Sequence, residues 1–287
     1  MGRFAPSPSG DLHLGSLFTA AASYLDARAH GGRWLVRIED LDAPRVVPGS
    51  AAAILRTLQR FGFEWDGDVV RQSERTDRYA AALDALHARG LTYECSCSRS
   101  QLADEARYPG HCRANPLIPG RLTATRLCID PGYIQFTDRV QGRFRQDVAA
   151  AVGDIVIRRR DRLFAYVLAV VVDDAAQHVT HVVRGADLLD NTPRQIYLQR
   201  PLQVDTPLYA HVPVLTEPDG HKLAKSLRSV HLDAGPVMPQ LIRVLELLDL
   251  SPPRELSDAA LTEAWAWAVD RWNIKRLPKR LNLALDR

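Results

Sequence analysis

The stretch Arg3-Phe4-Ala5-Pro6-Ser7-Pro8-Ser9-Gly10-Asp11-Leu12-His13-Leu14-Gly15-Ser16 constrains this chain more than any other. A short apolar run ends in a Pro/Ser/Gly loop, and apolar residues then recur at helical spacing: Leu14, Leu17, Phe18, Ala21 and Leu25. The pattern predicts a strand, a loop and a helix N-terminus in succession. Such a helix start carries unpaired N–H groups and partial positive charge, so it suits an anion, phosphate above all. Gly10 and Gly15 would let the backbone approach a ligand closely. His13 stands where its side chain would reach the same anion. Taken alone, a Gly/Pro/Ser loop is equally compatible with an ordinary strand-to-helix connection. Neither the Walker phosphate-loop pattern nor the dinucleotide glycine pattern is present, which removes those two assignments.

Beyond this stretch, residues 1–92 alternate strand-like and helix-like patterns. Trp34-Leu-Val-Arg-Ile38 reads as a compact apolar strand running into Glu39-Asp40-Leu41-Asp42. Ser50 is placed to cap a helix carrying Ile54, Leu55, Leu58 and Phe61 on one face. Val69–Gln72 reads as a short strand, and Tyr79, Leu83 and Leu86 mark the helix after it. Alternation of this kind predicts an α/β fold, a parallel sheet with ligands at the strands' carboxyl ends. Residues 93–155, rich in Cys, Pro, Gly and Arg, break the pattern and read as an insertion. Residues 156–230 resume it: an apolar run at Leu163–Asp174, a strand at His178–Val183 entering Arg184-Gly185, a helix from about Asn191 to Leu202 with Pro193 in its first turn, and a strand at His211–Leu215. Periodicity leaves Leu163–Val172 open between helix and strand, and its β-branched residues favour a strand. Residues 231–287 read as a small helical region, with Leu241, Val244, Leu245, Leu247 and Leu248 on one helix and Trp265 and Trp267 on another.

Composition bounds the alternatives. A chain of 287 residues with 46% hydrophobic and 25% charged residues is ordinary for a globular protein with a good core. The formal net charge of +3 is too small to argue a nucleic-acid partner. Its 33 Arg against four Lys reflect base composition rather than function, which makes the four Lys worth locating. Two of them, Lys222 and Lys225, share one loop between Pro218-Asp-Gly220 and Ser226, and Lys275 and Lys279 lie in a basic tail from Arg271 to Arg280. No targeting segment is visible and the longest apolar run is too short for a bilayer, so a cytoplasmic protein with no membrane partner is expected. Three of the four Cys fall between positions 95 and 112, which predicts a metal site in a reducing compartment. Cys95, Cys97 and Cys112 supply three thiolates, and Tyr108 and His111 are both available as the fourth ligand of a closed zinc site. Ligand chemistry alone prefers the His111 imidazole. Cys128 stands apart and reads as core.

Pro6-Ser-Pro-Ser-Gly-Asp-Leu-His-Leu-Gly-Ser16 resembles the "HIGH" region of class I aminoacyl-tRNA synthetases in the form used by the glutamyl branch, and Lys222-Leu-Ala-Lys-Ser226 resembles the "KMSKS" loop. The two occur in the right order, and the resemblance runs from Arg3 to about Ser229. It implies a Rossmann-like class I catalytic fold split by a zinc-bearing insertion, and it favours a helix over Leu163–Val172. It implies ATP-binding by His13, Gly15, Lys222 and Lys225, with His13 and Lys225 as the catalytic pair and Mg²⁺ offsetting phosphate charge. Ala224 stands where the motif has Ser, which leaves both Lys intact. Glutamate presents two carboxylates and one ammonium, so its pocket needs guanidinium donors and a carboxylate acceptor. The resemblance assigns Arg3, Phe4, Ala5, Pro6, Ser7, Glu39, Tyr166 and Arg184 to that pocket, with Arg3 on the side-chain carboxylate and Glu39 on the ammonium. Val167 departs from the Asn usual after the Tyr. Tyr108-Pro-Gly-His-Cys-Arg113 resembles the end of the zinc site in the shortened glutamyl family, which prefers Tyr108 over His111.

Only residues 227–287 follow the second motif, where a full glutamyl-tRNA synthetase continues into a large anticodon-binding region. The chain therefore resembles the shortened glutamyl-Q tRNA(Asp) synthetase family. That resemblance implies activation of glutamate by ATP, then transfer of the glutamyl group to queuosine in the anticodon loop of tRNA(Asp), with a monomer expected. The alternative is a minimal glutamyl-tRNA synthetase that charges the acceptor end. No side chain has a spacing that demands a general base.

Overall fold

A computed structural model describes residues 1–98, 100–102, 105, 107–217, 232 and 235–285. The first ninety residues form β1 (Gly2–Phe4), α1 (Leu14–Ala29), β2 (Trp34–Ile38), α2 (Ser50–Arg60), β3 (Val70–Arg71) and α3 (Thr76–Ala88). The three strands are parallel in the order β1-β2-β3, with Arg3 opposite Leu35 and Ile38 opposite Arg71. The middle of the chain is antiparallel. β4 (Thr92–Cys95), β5 (Ala124–Leu127) and, after the short helix α4 (His111–Ala114) between them and α5 (Val148–Ala151) beyond, β8 (Ile155–Arg158) make one sheet. β6 (Tyr133–Asp138) and β7 (Gly142–Asp147) make a hairpin. Parallel pairing returns between β9 (His181–Gly185) and β10 (Leu208–Val212), which flank α7 (Thr192–Leu202), and α6 (Tyr166–Ala176) precedes β9. β11 (Val214–Thr216), α8 (Val237–Leu247), α9 (Leu261–Arg271) and β12 (Asn282–Ala284) complete the described chain. The expected parallel sheet is thus seen as separate parallel pairings.

The core explains why α1 sits at the centre. Its Ala20, Ala21 and Ala22 are fully buried, as are Leu17 and Leu25, so the helix is enclosed on nearly every side rather than along one stripe. Small side chains allow α1 to approach β1, β9, α8 and α9 together. Phe4, Tyr24, Trp34, Phe63 and Trp265 form a continuous aromatic cluster over this helix. A second core lies between α3, α6, α7 and the strands β5 and β8, filled by Tyr79, Leu127, Ile157 and Leu168.

Five sequence expectations are settled or change in detail. Ser50 is the first residue of α2, not its cap: Gly49 occupies the cap position with φ of 81°, and the Ser50 hydroxyl instead donates to the Gly10 carbonyl and accepts the Gly10 N–H. The strand expected at Val69–Gln72 is only the pair Val70–Arg71, and the one at His178–Val183 starts at His181. Leu163–Val172 is helical from Tyr166 onward, as the family resemblance favoured and β-propensity did not. The C-terminal region is not wholly helical, because β12 pairs in parallel with β11.

The C-terminal helices share the core of the first half rather than forming one of their own. Trp265 on α9 is 4% exposed, its indole N–H donates to the Phe61 carbonyl at 2.9 Å, and its ring meets Tyr24 and Phe63. Trp265→Ala is expected to lower the free energy of unfolding by about 3–5 kcal/mol, the cost of emptying a buried aromatic site. Urea unfolding followed by circular dichroism checks this. A separate early transition for residues 237–285, with the rest unchanged, would contradict the shared core.

Candidate active site

The loop between β1 and α1 is held at three points. The Glu39 N–H donates to the Pro6 carbonyl at 3.0 Å, the Val47 N–H to the Pro8 carbonyl at 2.9 Å, and Ser50 grips Gly10 on both sides. Gly10 has φ of 136°, a conformation that favours glycine. His13 is the cap of α1: its Nδ1 accepts from the Gly15 N–H at 3.1 Å and the Ser16 N–H at 3.3 Å. Two donors expected for an anion are therefore taken up by His13 itself, and because Nδ1 accepts, the ring proton sits on Nε2. Gly15 owes its place to this cap, since a Cβ there would lie 3.0 Å from the His13 ring. A cavity of about 380 Å³ opens over the loop, lined by Ser7, Gly10, His13 and Gly15 on one side and Gly185 and Asp187 on the other.

A second cavity, about 250 Å³, adjoins it and is lined by Ser7, Glu39, Arg45, Gln72, Arg159 and Tyr166 among others. Ser7 and Arg45 line both cavities. Beneath lies a buried charge network. Asp174 on α6 accepts from Arg37 Nη2 at 2.7 Å and from Arg3 Nε at 3.3 Å, and Arg37 also reaches Glu39 at 3.3 Å and Gln177 at 2.7 Å. The neighbouring Asp173 accepts from Arg75 at 2.6 Å, the Tyr79 hydroxyl at 2.7 Å and Gln72 at 2.9 Å. Burial alone would raise the Asp174 carboxyl, but the Arg3 and Arg37 charges overcome it and hold the group below the ordinary carboxylate range. For Glu39 burial wins over Arg37 and Arg3, and its carboxyl is raised.

Arg184, near the end of β9, is buried behind Tyr166. Its Nη1 donates to the Tyr166 hydroxyl at 3.4 Å, and its Nη2 to Thr192 and Gln195, each at 2.8 Å. Nε2 of Gln195, a donor on the same buried residue, has no hydrogen-bond partner among the described residues.

The eight residues expected around glutamate are thus brought near one place, though not all onto one surface. Ser7, Glu39 and Tyr166 line the smaller cavity, and Phe4, Pro6 and Ser7 the larger. Arg3 and Arg184 lie beneath the walls, each already hydrogen-bonded to protein. Lys222 and Lys225 lie outside the described residues. Sequence reasoning missed Arg37, which sits unannounced in an apolar strand, and Gln72, Arg75 and Tyr79, whose acceptor Asp173 lies in another part of the chain.

The cysteine cluster is a third feature. The sulfurs of Cys95, Cys97 and Cys112 all lie within 4.8 Å of one another. The Tyr108 hydroxyl is 3.4 Å from Cys95 Sγ and 4.0 Å from Cys97 Sγ. A tetrahedral zinc with ordinary bond lengths separates its ligand atoms by about 3.5–3.8 Å, so the donor set is compatible with that ion. Gly110 in a left-handed turn begins α4, and His111 projects into solvent outside the thiol group. Tyr108 is buried under the Arg126 guanidinium, 3.5 Å from its ring. Its carbonyl passes so close to Gly153 that a Cβ would clash, and Gly153 has φ of 74°.

This architecture, a cavity over a capped helix start beside a charged pocket spanning two parallel strand–helix units, is that of a class I synthetase, and the chain belongs to the tRNA synthetases class I (E and Q) family, whose catalytic-domain model matches residues 1–238. Within it the chain groups with the glutamyl-Q tRNA(Asp) synthetases. It is 57% identical to the protein of that name from Ectopseudomonas mendocina over 99% of this chain and 97% of that one. It is 55% identical to the one from Pseudomonas aeruginosa over 100% of this chain and 98% of that one. The fold is similar to the crystal structure of glutamate-tRNA synthetase from Elizabethkingia anophelis, with a TM-score of 0.81 and 23% identity over 97% of this chain and 66% of that one. No helix among the described residues is long and apolar enough to cross a membrane.

Asp174→Asn would leave Arg3 and Arg37 buried with less compensation, and is expected to cost about 3–5 kcal/mol at neutral pH. Because the folded-state pKa is depressed, the stabilisation by Asp174 is present above about pH 4, the unfolded value, and fades as pH falls through the depressed one. Urea titrations should therefore show wild type and variant converging in acid. An equal gap at all pH values would contradict the ion pairing.

Proposed function

We propose that this chain activates glutamate with ATP as glutamyl-adenylate and transfers the glutamyl group to queuosine in the anticodon loop of tRNA(Asp). The observation that carries the activation chemistry is the meeting of two cavities at Ser7 and Arg45, one over a helix start and the other over a buried array of guanidinium and carboxylate groups. The choice of acceptor rests on relatives named glutamyl-Q tRNA(Asp) synthetase at 52–57% identity across nearly the whole chain.

ATP, brought as its Mg²⁺ complex, occupies the larger cavity. Lys222 and Lys225 supply positive charge where the phosphates sit, His13 Nε2–H supplies a hydrogen-bond donor and the Gly15 segment lets backbone approach them, and Lys225 and His13 stabilise the charge that develops in the transition state. Glutamate occupies the smaller cavity, which Ser7, Glu39 and Tyr166 line, with Phe4, Ala5 and Pro6 in the strand-to-loop segment that leads to Ser7. Glu39 accepts from its ammonium, Arg3 serves its side-chain carboxylate, and Tyr166 and Arg184 close the pocket. The buried donor on Gln195 beside Arg184 is one that an acidic ligand would satisfy. An oxygen of the glutamate α-carboxylate attacks the α-phosphorus, the bond to the β-phosphate oxygen breaks, and pyrophosphate leaves. A queuosine hydroxyl then attacks the mixed anhydride, forming the ester and releasing AMP. Positioning carries both steps.

The division into catalytic halves at 1–92 and 156–230, an insertion at 93–155 and a C-terminal part at 231–287 belongs to this reading. So does a structural Zn²⁺ held by Cys95, Cys97, Cys112 and Tyr108, which would tie the end of β4 to α4. About one zinc ion per chain is expected by elemental analysis. Tyr108→Phe should weaken its retention against a chelator while His111→Ala should not. The reverse pattern would transfer the fourth position to His111.

Transfer of labelled glutamate in the presence of ATP, to bulk tRNA from queuosine-proficient and queuosine-deficient cells, tests the function. Label confined to proficient tRNA, and within it to tRNA(Asp), is the expected result. Equal label from both sources would overturn the anticodon-loop assignment in favour of acceptor-end charging.

A further inference from the structure

We propose that His211 and Asp138 are positioning residues, which fix the Arg184 guanidinium against the glutamate cavity by holding the imidazole in one neutral tautomer. The inference rests on the reading that Arg184 serves glutamate, and it adds two residues, from the β6–β7 hairpin and from β10, that no motif singles out.

The geometry is a buried chain. Asp138 ends β6 and His211 lies within β10; both side chains are fully enclosed. Asp138 Oδ2 lies 2.6 Å from His211 Nδ1. His211 Nε2 lies 3.0 Å from Arg184 Nε, which donates to it. The two neighbours select the same proton arrangement. A carboxylate only accepts, so Nδ1 carries the hydrogen; a guanidinium N–H only donates, so Nε2 must be bare. Burial and the adjacent Arg184 charge both press His211 toward the neutral form, against the pull of Asp138. The ring of His211 also lies nearly parallel to that of Tyr209, 6.1 Å away, which restrains its rotation.

Asp138 is itself locked. Its Oδ1 accepts three backbone N–H groups: Val140 at 3.0 Å, Gln141 at 2.8 Å and His211 at 3.1 Å. Only Oδ2 is left for the imidazole. With Nε held by His211 and Nη2 by Thr192 and Gln195, the guanidinium plane is set, and Nη1 is the edge presented to Tyr166, which lines the smaller cavity. Thr192 and Gln195 fix Nη2 and Tyr166 takes Nη1 at 3.4 Å, and the His211 acceptor, whose Nε2 also lies 3.1 Å from the Thr192 hydroxyl, fixes Nε on the remaining side.

This arrangement makes Asp138→Asn a selective test. The three backbone donors require an oxygen at the Oδ1 position, so the amide nitrogen must take the Oδ2 position and donate to His211 Nδ1. The imidazole hydrogen then moves to Nε2, where it faces the Arg184 Nε–H. Two donors meet, and Arg184 loses its acceptor. The same logic, a carboxylate replaced by an amide that enforces the wrong imidazole tautomer, operates in hydrolytic triads.

Pyrophosphate exchange is measured with glutamate and ATP varied separately, alongside histidine ¹⁵N spectra of the same samples. Asp138→Asn is expected to raise the KM for glutamate about tenfold or more with the KM for ATP unchanged, and to shift the His211 nitrogens from the Nδ1–H to the Nε2–H pattern. A merely structural role would move both KM values and would not exchange the tautomers. If Asp138→Asn does not fold, His211→Gln and His211→Leu decide: the Gln oxygen can accept from Arg184 and should restore glutamate KM relative to Leu. Arg184→Lys is run in parallel. A raised glutamate KM for Arg184→Lys with unchanged values for the Asp138 and His211 variants would overturn this inference alone. Unchanged glutamate KM for Arg184→Lys itself would remove Arg184 from the pocket, and the positioning role with it.

Discussion

The pairing of Asp174 with Arg3 and Arg37 is the interaction on which the rest of the site depends. Arg3 is on β1, Arg37 on β2 and Asp174 on α6, so one carboxylate ties the first parallel unit to an element more than a hundred residues later in the chain. Its neighbour Asp173 reaches the other way, to Gln72, Arg75 and Tyr79 around the start of α3. Adjacent residues on a helix point about 100° apart, so the two carboxylates share only Arg37, 3.8 Å from Asp173, and their other partners lie on different elements, which sets both the rotation and the height of α6. Sliding α6 by a turn would strand buried charge on both sides. Such a network adds less to stability than its short distances suggest, because desolvation consumes much of the attraction. What it does supply is position: the floor of the smaller cavity has one low-energy arrangement.

The same residues show where sequence reasoning reached and where it stopped. The β1–loop–α1 unit was legible because loop composition and helical periodicity coincide there. The function of its parts was less so: Ser50 read as a helix cap but is the clamp on the loop, and His13, read as an anion ligand, also caps α1 through Nδ1. Both assignments turn on which backbone N–H a short side chain faces, and periodicity carries no such information. Periodicity left Leu163–Val172 open for a similar reason, and only the family resemblance favoured its helix. Three consecutive Val favour a strand locally, while the partners that favour the helix, Arg3, Arg37 and Arg75, lie far away in sequence. Arg37 itself was hidden inside an apolar strand, although it is fully buried.

The cysteine cluster was legible from spacing, because three thiols so close in sequence have few other reasons to be together. Where Tyr108 and His111 stand relative to the three thiols could be seen only from the backbone. Gly110 turns left-handed, His111 goes to solvent, and the neighbouring Tyr108 is pressed inward by Arg126 and anchored by its N–H to the Val152 carbonyl. The C-terminal part was half legible. Its apolar helices were plain, but β12 is three residues long and gains meaning only from β11, to which it is paired.

The charges beneath the smaller cavity balance one another. Arg3, Arg37 and Arg75 are matched by Glu39, Asp173 and Asp174, and Arg184 is matched by Asp138 through a neutral His211. The floor is therefore close to electroneutral before any ligand arrives. An acidic amino acid carries net negative charge, so the floor's net charge cannot be what attracts it. Attraction has to come from cations at the rim, where Arg45 borders both cavities, and from the helix start above. The floor then acts by geometry, offering donors and an acceptor at set positions and rejecting ligands that leave them unpaired, because an unmatched buried group is costly. Separating the two tasks allows discrimination among amino acids without tight ground-state binding, and rate is better served when binding energy appears in the transition state. An enzyme that must release its adenylate to a bulky RNA nucleophile has reason to be built in that way.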